Sequence, residues 1–256
     1  MFEIETERLL FRNIFAVQSA EELTAYQSYL QIIRPKLEKY LSHLKDTYSV
    51  HSLPRSVVWT NAETATHLIS DIPVPAYTNE YRTVFCPDPD TWRGIYLRQL
   101  DEVPNDEVCR YYENRLSENH ILQILGHEFV HHSDLFPDGF DTEYDSGIWF
   151  EEGMCEYISR KFFLTDKEFE DEAHINTLLV EMFRERYGNH SLEDFGAATY
   201  AGDYASIFYE YWRSFLAVKE IVERFDGDVP AVFREYQRWY QNHDEKTLSE
   251  WFDVSV

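Results

Sequence analysis

The strongest constraint on this chain is one helical segment that has almost no polar face to offer to water. From Ser117 through His127 to about Ser133, the residues Ile121, Leu122, Ile124, Leu125, Phe129 and Val130 spread round the helix and make it apolar on most sides. Such a helix has to be largely buried, yet it carries His127, Glu128 and His131. Polar and charged groups taken out of water need partners. Ser117 is suited to cap the start of the helix.

The sequence HEFVH, His127 to His131, says what those partners are. On a helix, residues i and i+4 share a face with β-carbons about 5–6 Å apart, so both imidazoles reach one ion. Glu128 leaves the axis about 100° round from His127. Its carboxylate therefore reaches a water on the ion rather than the ion itself, which is why HExxH suits metal-assisted hydrolysis. The pattern alone arises by accident in roughly a few chains per hundred. Its bland reading, two solvated histidines on a surface helix, conflicts with the apolar neighbours.

A tetrahedral catalytic site needs a third protein ligand and one open position. Downstream stands WFEEGMCEY, Trp149 to Tyr157. HExxH followed by W-x-x-E-G-x-x-E-Y resembles the gluzincins, particularly the catalytic domain of the aminopeptidase N family and related peptidase-MA-like proteins. The resemblance covers about residues 117 to 240. It implies a zincin-like fold, a Zn²⁺ cofactor, Glu152 as third ligand beside His127 and His131, and Glu128 as general base. It also implies that Glu156 orients His127, fixing its tautomer. Helix geometry agrees, because Glu152 and Glu156 are themselves an i, i+4 pair. Gly153 removes a side chain where two helices have to approach closely.

The resemblance further implies a Tyr or His from a later helix that stabilises the oxyanion. Tyr204, with Ser206 near the expected Gly, is the nearest match, and Tyr200, Tyr209, Tyr211 and His190 are alternatives. One part of the family pattern is missing. The amine-capturing G-x-M-E-N segment cannot be present, since the only methionines are Met1, Met154 and Met182. That favours an endopeptidase or oligopeptidase over an aminopeptidase. A catalytically silent zinc-containing peptide-binding module and a narrow regulatory protease cutting one partner are the alternatives.

Other polar residues near the motif read as bland. Asp134 lies too close to the same helix to close a metal site well, Glu151 reads as a solvated helix charge, and His132 reads as polar surface. Asp138, Asp141, Glu143 and Asp145 lack the spacing of a calcium loop and read as a solvated connector. Cys86, Cys109 and Cys155 show no CxxC spacing and read as small buried hydrophobes.

Around this centre the spacing predicts a long amphipathic helix from Ala20 to about Asp46. Strands are expected at SVVWT, THLI, RTVFC and GIYLRQL, kept short by the prolines at 73, 75, 87 and 89. GIYLRQL is the expected edge for an extended peptide to pair with. Later helices should begin near Trp149, Asp166 and Asp203. The fold class is α+β, in one metallopeptidase-like domain over 1–256. An α/β portion spans 1–116 and a helical portion 117–256, with the active helix at the cleft between them.

A hydrophobic content of 44% fits a globular chain. No signal-peptide core or membrane-spanning run is legible, so a cytoplasmic protein is expected. A net charge of −24 argues against nucleic acid or an anionic membrane as partner and leaves a peptide or protein substrate.

Overall fold

The chain's longest helix starts where a side chain can satisfy its first free amides. In the computed structural model, which describes residues 11–70, 72–100, 104–137, 139–140, 147–196, 199–200, 202–242 and 246–256, Ser19 accepts from the Glu22 amide at 3.1 Å. Helix α1 (Ala20–Tyr48) follows and buries Tyr26, Leu30, Ile33, Leu37, Tyr40, Leu41 and Leu44 along one face. It connects strands β1 (Arg12–Ala16) and β2 (Ser56–Thr60), which run parallel.

Strands β3 (Ala76–Thr78) and β4 (Arg82–Phe85) complete a four-stranded sheet of order β1-β2-β4-β3. β2 and β4 are parallel, whereas β3 is an outer strand antiparallel to β4, with Ala76 opposite Phe85. The period of two divides the side chains between faces. Val57, Trp59 and Phe85 enter the main core, while Val58 and Val84 pack with Ala65 on the other side.

Two expected strands are helical instead. Thr66–Ile69 belongs to a π-helical turn, Thr64–Ile69. GIYLRQL lies mostly in α2 (Pro89–Arg98). Asp88 decides this locally: its carboxylate accepts from the amides of Asp90 at 3.1 Å and Thr91 at 3.2 Å, and Pro89 has a backbone angle fitted to a first helical position. Trp92 and Ile95, three apart, then bury one helical face. Asn105 starts α3 (Asp106–Arg115) in the same way. Helix thus replaces strand from Pro89 onward, ahead of the change expected near residue 117.

The remaining helices begin close to their expected positions: α4 (Glu118–Val130), α5 (Ile148–Phe163), α6 (Asp166–Tyr187) and α7 (Tyr204–Arg224). Helices α8 (Val229–Asn242) and α9 (Leu248–Phe252) follow. Helix α5 packs against both α4 and α7, and β3 runs beside α4. At Gly153 a β-carbon would collide with the Ser214 carbonyl, so glycine is what lets α5 and α7 meet. The main core draws on α1, the sheet and these helices together, and a second cluster joins α3, α6 and α7. The architecture is mixed α+β, with a small sheet in the N-terminal part and a helical C-terminal part. No described helix is long and apolar enough to cross a membrane.

Candidate metal centre

The site is built by the last turn of α4 and the first two turns of α5. Tyr40 on α1 donates to the Gly126 carbonyl at 3.0 Å, and Phe163 packs where a β-carbon on Gly126 would stand. These contacts fix the turn that carries His127. The Ser133 hydroxyl bonds the Tyr48 carbonyl and its amide caps Val130, so the helix stops just after His131. Both histidines keep helical spacing, and their rings lie 5.0 Å apart.

Each imidazole has one nitrogen against a carboxylate and the other turned inward. His127 Nδ1 lies 3.0 Å from Glu156 Oε1, and His131 Nδ1 lies 2.7 Å from Glu151 Oε1. A carboxylate at Nδ1 holds the proton there and leaves the lone pair on Nε2. The two Nε2 atoms are 3.1 Å apart, and Glu152 Oε2 stands 3.0 Å from the first and 3.5 Å from the second. Zinc bonds of about 2.0–2.1 Å give a tetrahedron with edges of roughly 3.3 Å. The three donor atoms match one face of it.

Glu152 Oε2 is buried and stands against both ring nitrogens. Such a point takes positive charge, as protons on the imidazoles in the metal-free chain or as a metal ion in their place. The donor set of two imidazoles and a carboxylate fits zinc.

Charge in the site follows the same logic. Burial would push the His127 imidazole down, but bonds to Glu152 and Glu156 outweigh it and raise it to about 9. His131 is likewise raised well above the usual histidine range against its burial, by Cys155, Glu152 and Glu151. Burial also opposes ionisation of Glu152, yet the two imidazoles hold that carboxyl far below the usual range. Glu128 differs: burial dominates and lifts it to about 7, with the imidazole charges pulling the other way.

Cys155 is a competing donor. Its sulfur and one nitrogen of each imidazole lie within 4.8 Å of one another. Burial pushes its thiol far above the ordinary cysteine range, with His131 opposing, so it favours the neutral form. Glu152 lies 3.0 and 3.5 Å from the two Nε2 atoms and is held ionised by them, so both side chains are candidates for the third ligand.

Several residues behave differently from their sequence reading. Glu151 is not a solvated charge; it is buried against His131. The sequence hides this, because Glu151 and Glu152 are adjacent and leave the helix about 100° apart, and only the packing of α5 against α4 shows that both are covered. His132 is buried too: its Nε2 lies 3.0 Å from the Thr78 hydroxyl on β3, and burial lowers it to about 4. Asp134 is exposed at the end of the α4 turn. Asp138, Asp141, Glu143 and Asp145 lie outside the described residues.

Tyr204, the nearest match for an oxyanion donor, is turned elsewhere. Its hydroxyl donates to the Pro73 carbonyl at 2.8 Å, and it does not line the cavity that holds the histidines. Tyr209 donates to the Gly188 carbonyl and His190 pairs with Glu210, both away from the centre. Tyr200 and Tyr211 are the aromatic hydroxyls at the site. Tyr200 donates to Glu152 Oε1 at 3.2 Å and lies 2.9 Å from the Tyr211 hydroxyl, and the Tyr211 ring is 6.0 Å from that of His127. The legible signal for Tyr211 is Ser214 one turn later, a small residue where α7 meets Gly153.

The cavity has a volume of about 460 Å³ and is lined by His127, Glu128, His131 and Glu152, by both tyrosines, and by Ala76, Tyr77 and Thr78 of β3. Comparison of the chain with protein-family models, with curated proteins and with solved structures gives no match.

Proposed function

We propose that the chain is a zincin-like zinc metallopeptidase of the gluzincin type, hydrolysing peptide bonds as an endopeptidase or oligopeptidase. One observation carries this reading: His127 Nε2, His131 Nε2 and Glu152 Oε2 converge within 3.0–3.5 Å beside a cavity that Glu128 also lines. Zinc held by those three residues would polarise a carbonyl and acidify a water molecule.

The chain's own residues supply the rest. Glu151 and Glu156 keep both Nδ1 atoms protonated and both rings in register. Arg160 Nη2, 2.6 Å from Glu156 Oε2, holds that carboxylate in turn. The Glu128 carboxylate takes the proton of the attacking water and passes it to the leaving amine. A carboxyl that burial lifts to about 7 is a better base than an ordinary one, because it is poised near neutral pH. Burial raises the Tyr200 and Tyr211 hydroxyls well above the usual tyrosine range, so both keep their protons and can donate to a developing oxyanion.

Strand β3 supports an extended peptide as substrate. It is an outer strand, it runs beside α4, and its three residues line the cavity. A peptide could add to that edge through its main chain. This is the role the sequence assigned to GIYLRQL. The test is Glu128→Gln, which should hold zinc by elemental analysis and fail to cleave a mixed peptide library that the unmodified chain cleaves. Undiminished turnover in that variant would sink the assignment.

A further inference from the structure

His132 follows the second histidine of HEFVH directly, and the metal reading makes no use of it. It is buried, with 9% of its surface exposed, and its ring lies 4.9 Å from that of Phe140. A buried imidazole costs free energy that a phenylalanine would not, unless a hydrogen bond recovers it. Here the bond is to Thr78 of β3, whose Oγ1 lies 3.0 Å from His132 Nε2. Thr78 stands opposite Thr83 in the β3–β4 register, and the two hydroxyl oxygens are 2.8 Å apart. A line of side-chain bonds therefore runs from the residue beside His131 through β3 into β4.

Strand β3 has little else to hold it in place. It is three residues long and pairs with β4 along one edge. Tyr77 points to the far face of the sheet, where its hydroxyl donates to the Ala65 carbonyl at 2.8 Å. Ala76 joins the main core but has no polar side-chain atom to bond with. Among the described residues, the Thr78–His132 bond is the one hydrogen bond between β3 and α4 with its closing turn. His132 is next in the chain to His131. A movement of β3 against that bond is thus a movement against the metal-ligating face of α4.

We propose that His132 is a positioning residue, which through its bond to Thr78 sets the distance between the peptide-receiving strand β3 and the ligating face of His127 and His131. The inference rests on the peptide-hydrolase reading above. A peptide added to β3 takes its height and register from that strand. The place where its bond is broken is fixed by α4. A mismatch of about 1 Å between the two costs about 10²-fold in rate. The main-chain bonds that would hold the peptide move with β3 and survive such a shift. Loss of the grip therefore falls on turnover and leaves peptide binding in place.

The test uses three variants of the full chain. His132→Phe keeps a ring and removes the nitrogen, His132→Gln keeps a nitrogen at similar reach, and Thr78→Val removes the hydroxyl. The zinc-loaded proteins are assayed for kcat and KM on a peptide that the unmodified chain cleaves from a mixed library. Calorimetry on the same variants in the Glu128→Gln background reads affinity for that peptide. Cobalt-loaded samples give the paramagnetic NMR shifts of the Tyr77 and Thr78 amides, which report the distance from metal to strand without any cleavage. His132→Phe and Thr78→Val should each lower kcat by about 10–100-fold and move the β3 shifts, with zinc and peptide affinity held within about threefold. His132→Gln should keep most of the kcat and the original shifts. Joining His132→Phe to Thr78→Val should cost no more than either alone, since both remove one bond. If His132→Phe does not fold, Thr78→Val decides; failure of both to fold makes the bond a tie of the fold and overturns the role. Unchanged kcat and β3 shifts overturn it too, as does a loss confined to KM or one that follows zinc affinity. An unmodified chain that cleaves nothing, with β3 shifts that still move in His132→Phe, removes the hydrolase and leaves the positioning role. A chain that takes up no cobalt removes both.

Discussion

Two of the clusters that set histidine against glutamate in this molecule differ in one respect. In the first, His190 Nε2 lies 2.6 Å from Glu210 Oε1, Arg213 Nη1 donates to Glu210 Oε2 at 3.1 Å, and Arg213 Nε reaches the Val256 carbonyl at 3.3 Å. The arginine closes the pair, and the cluster fastens α7 to neighbouring backbone. In the second, His127 Nε2, His131 Nε2 and Glu152 Oε2 meet within 3.0–3.5 Å at the wall of a cavity. Residue types are nearly the same; what they face is not. A network closed by an arginine is a fastening, whereas imidazoles and a carboxylate converging on a cavity can exchange their protons for a metal ion.

The comparison breaks most readily when one member of each cluster is removed. Glu152→Ala should abolish stoichiometric zinc binding, and should also lower the melting temperature of the metal-free chain, because the carboxylate is the buried partner of both imidazoles. Arg213→Met should leave zinc binding in place in whatever folds, while costing up to about 3–5 kcal/mol because it takes the arginine from buried Glu210 and leaves only His190 against it. Zinc loss in the second variant at full folding, or its retention in the first, would put the site in the wrong place. Glu128→Gln comes next: catalysis should fall by about 10²–10⁴-fold, with zinc affinity within a few-fold of the starting chain in a competition titration.

Smaller effects sharpen the contrast. Glu151→Gln and Glu156→Gln should each weaken zinc by about 10–100-fold, as loss of a carboxylate behind a ligating histidine does. Equal affinity in Glu151→Gln would return that residue to an ordinary buried charge. Zinc affinity should also rise with pH. His127 is raised above its ordinary value to about 9, so below that pH zinc must displace its proton, and affinity should climb by about tenfold per unit for each imidazolium displaced. The same shift makes the metal-free chain's stability from His127 full below pH ~6.5 and lost as pH rises toward 9. A flat affinity profile between pH 6 and 8 would show that no imidazolium stands at the site. Smallest of all, Cys155→Ala should hold zinc nearly as tightly as the starting chain; a hundredfold loss would make the sulfur a ligand in place of Glu152.

What could be read in advance follows from the range of each interaction. Helix α1 was legible because its period of apolar residues and its Ser19 cap act within one turn, and α4, α6 and α7 announced themselves in the same way. GIYLRQL misled because its apolar residues satisfy a strand period and a helix period about equally, and the cap at Asp88 settles the choice from outside the segment. Strand β3 was hidden among prolines, since three residues carry no period and its existence depends on β4 beside it.

The sequence by itself determined that two imidazoles share a helical face with a carboxylate one residue on, and that a second helix brings Glu152 and Glu156 on one face, because i, i+4 geometry is local. Only the tertiary structure decided which carboxylate meets which nitrogen, that Glu151 backs His131, and that Tyr200 and Tyr211 rather than Tyr204 face the site. Those pairings join residues on different helices. They follow from how closely α4, α5, α6 and α7 approach, which Gly126 and Gly153 permit by having no side chain in the way.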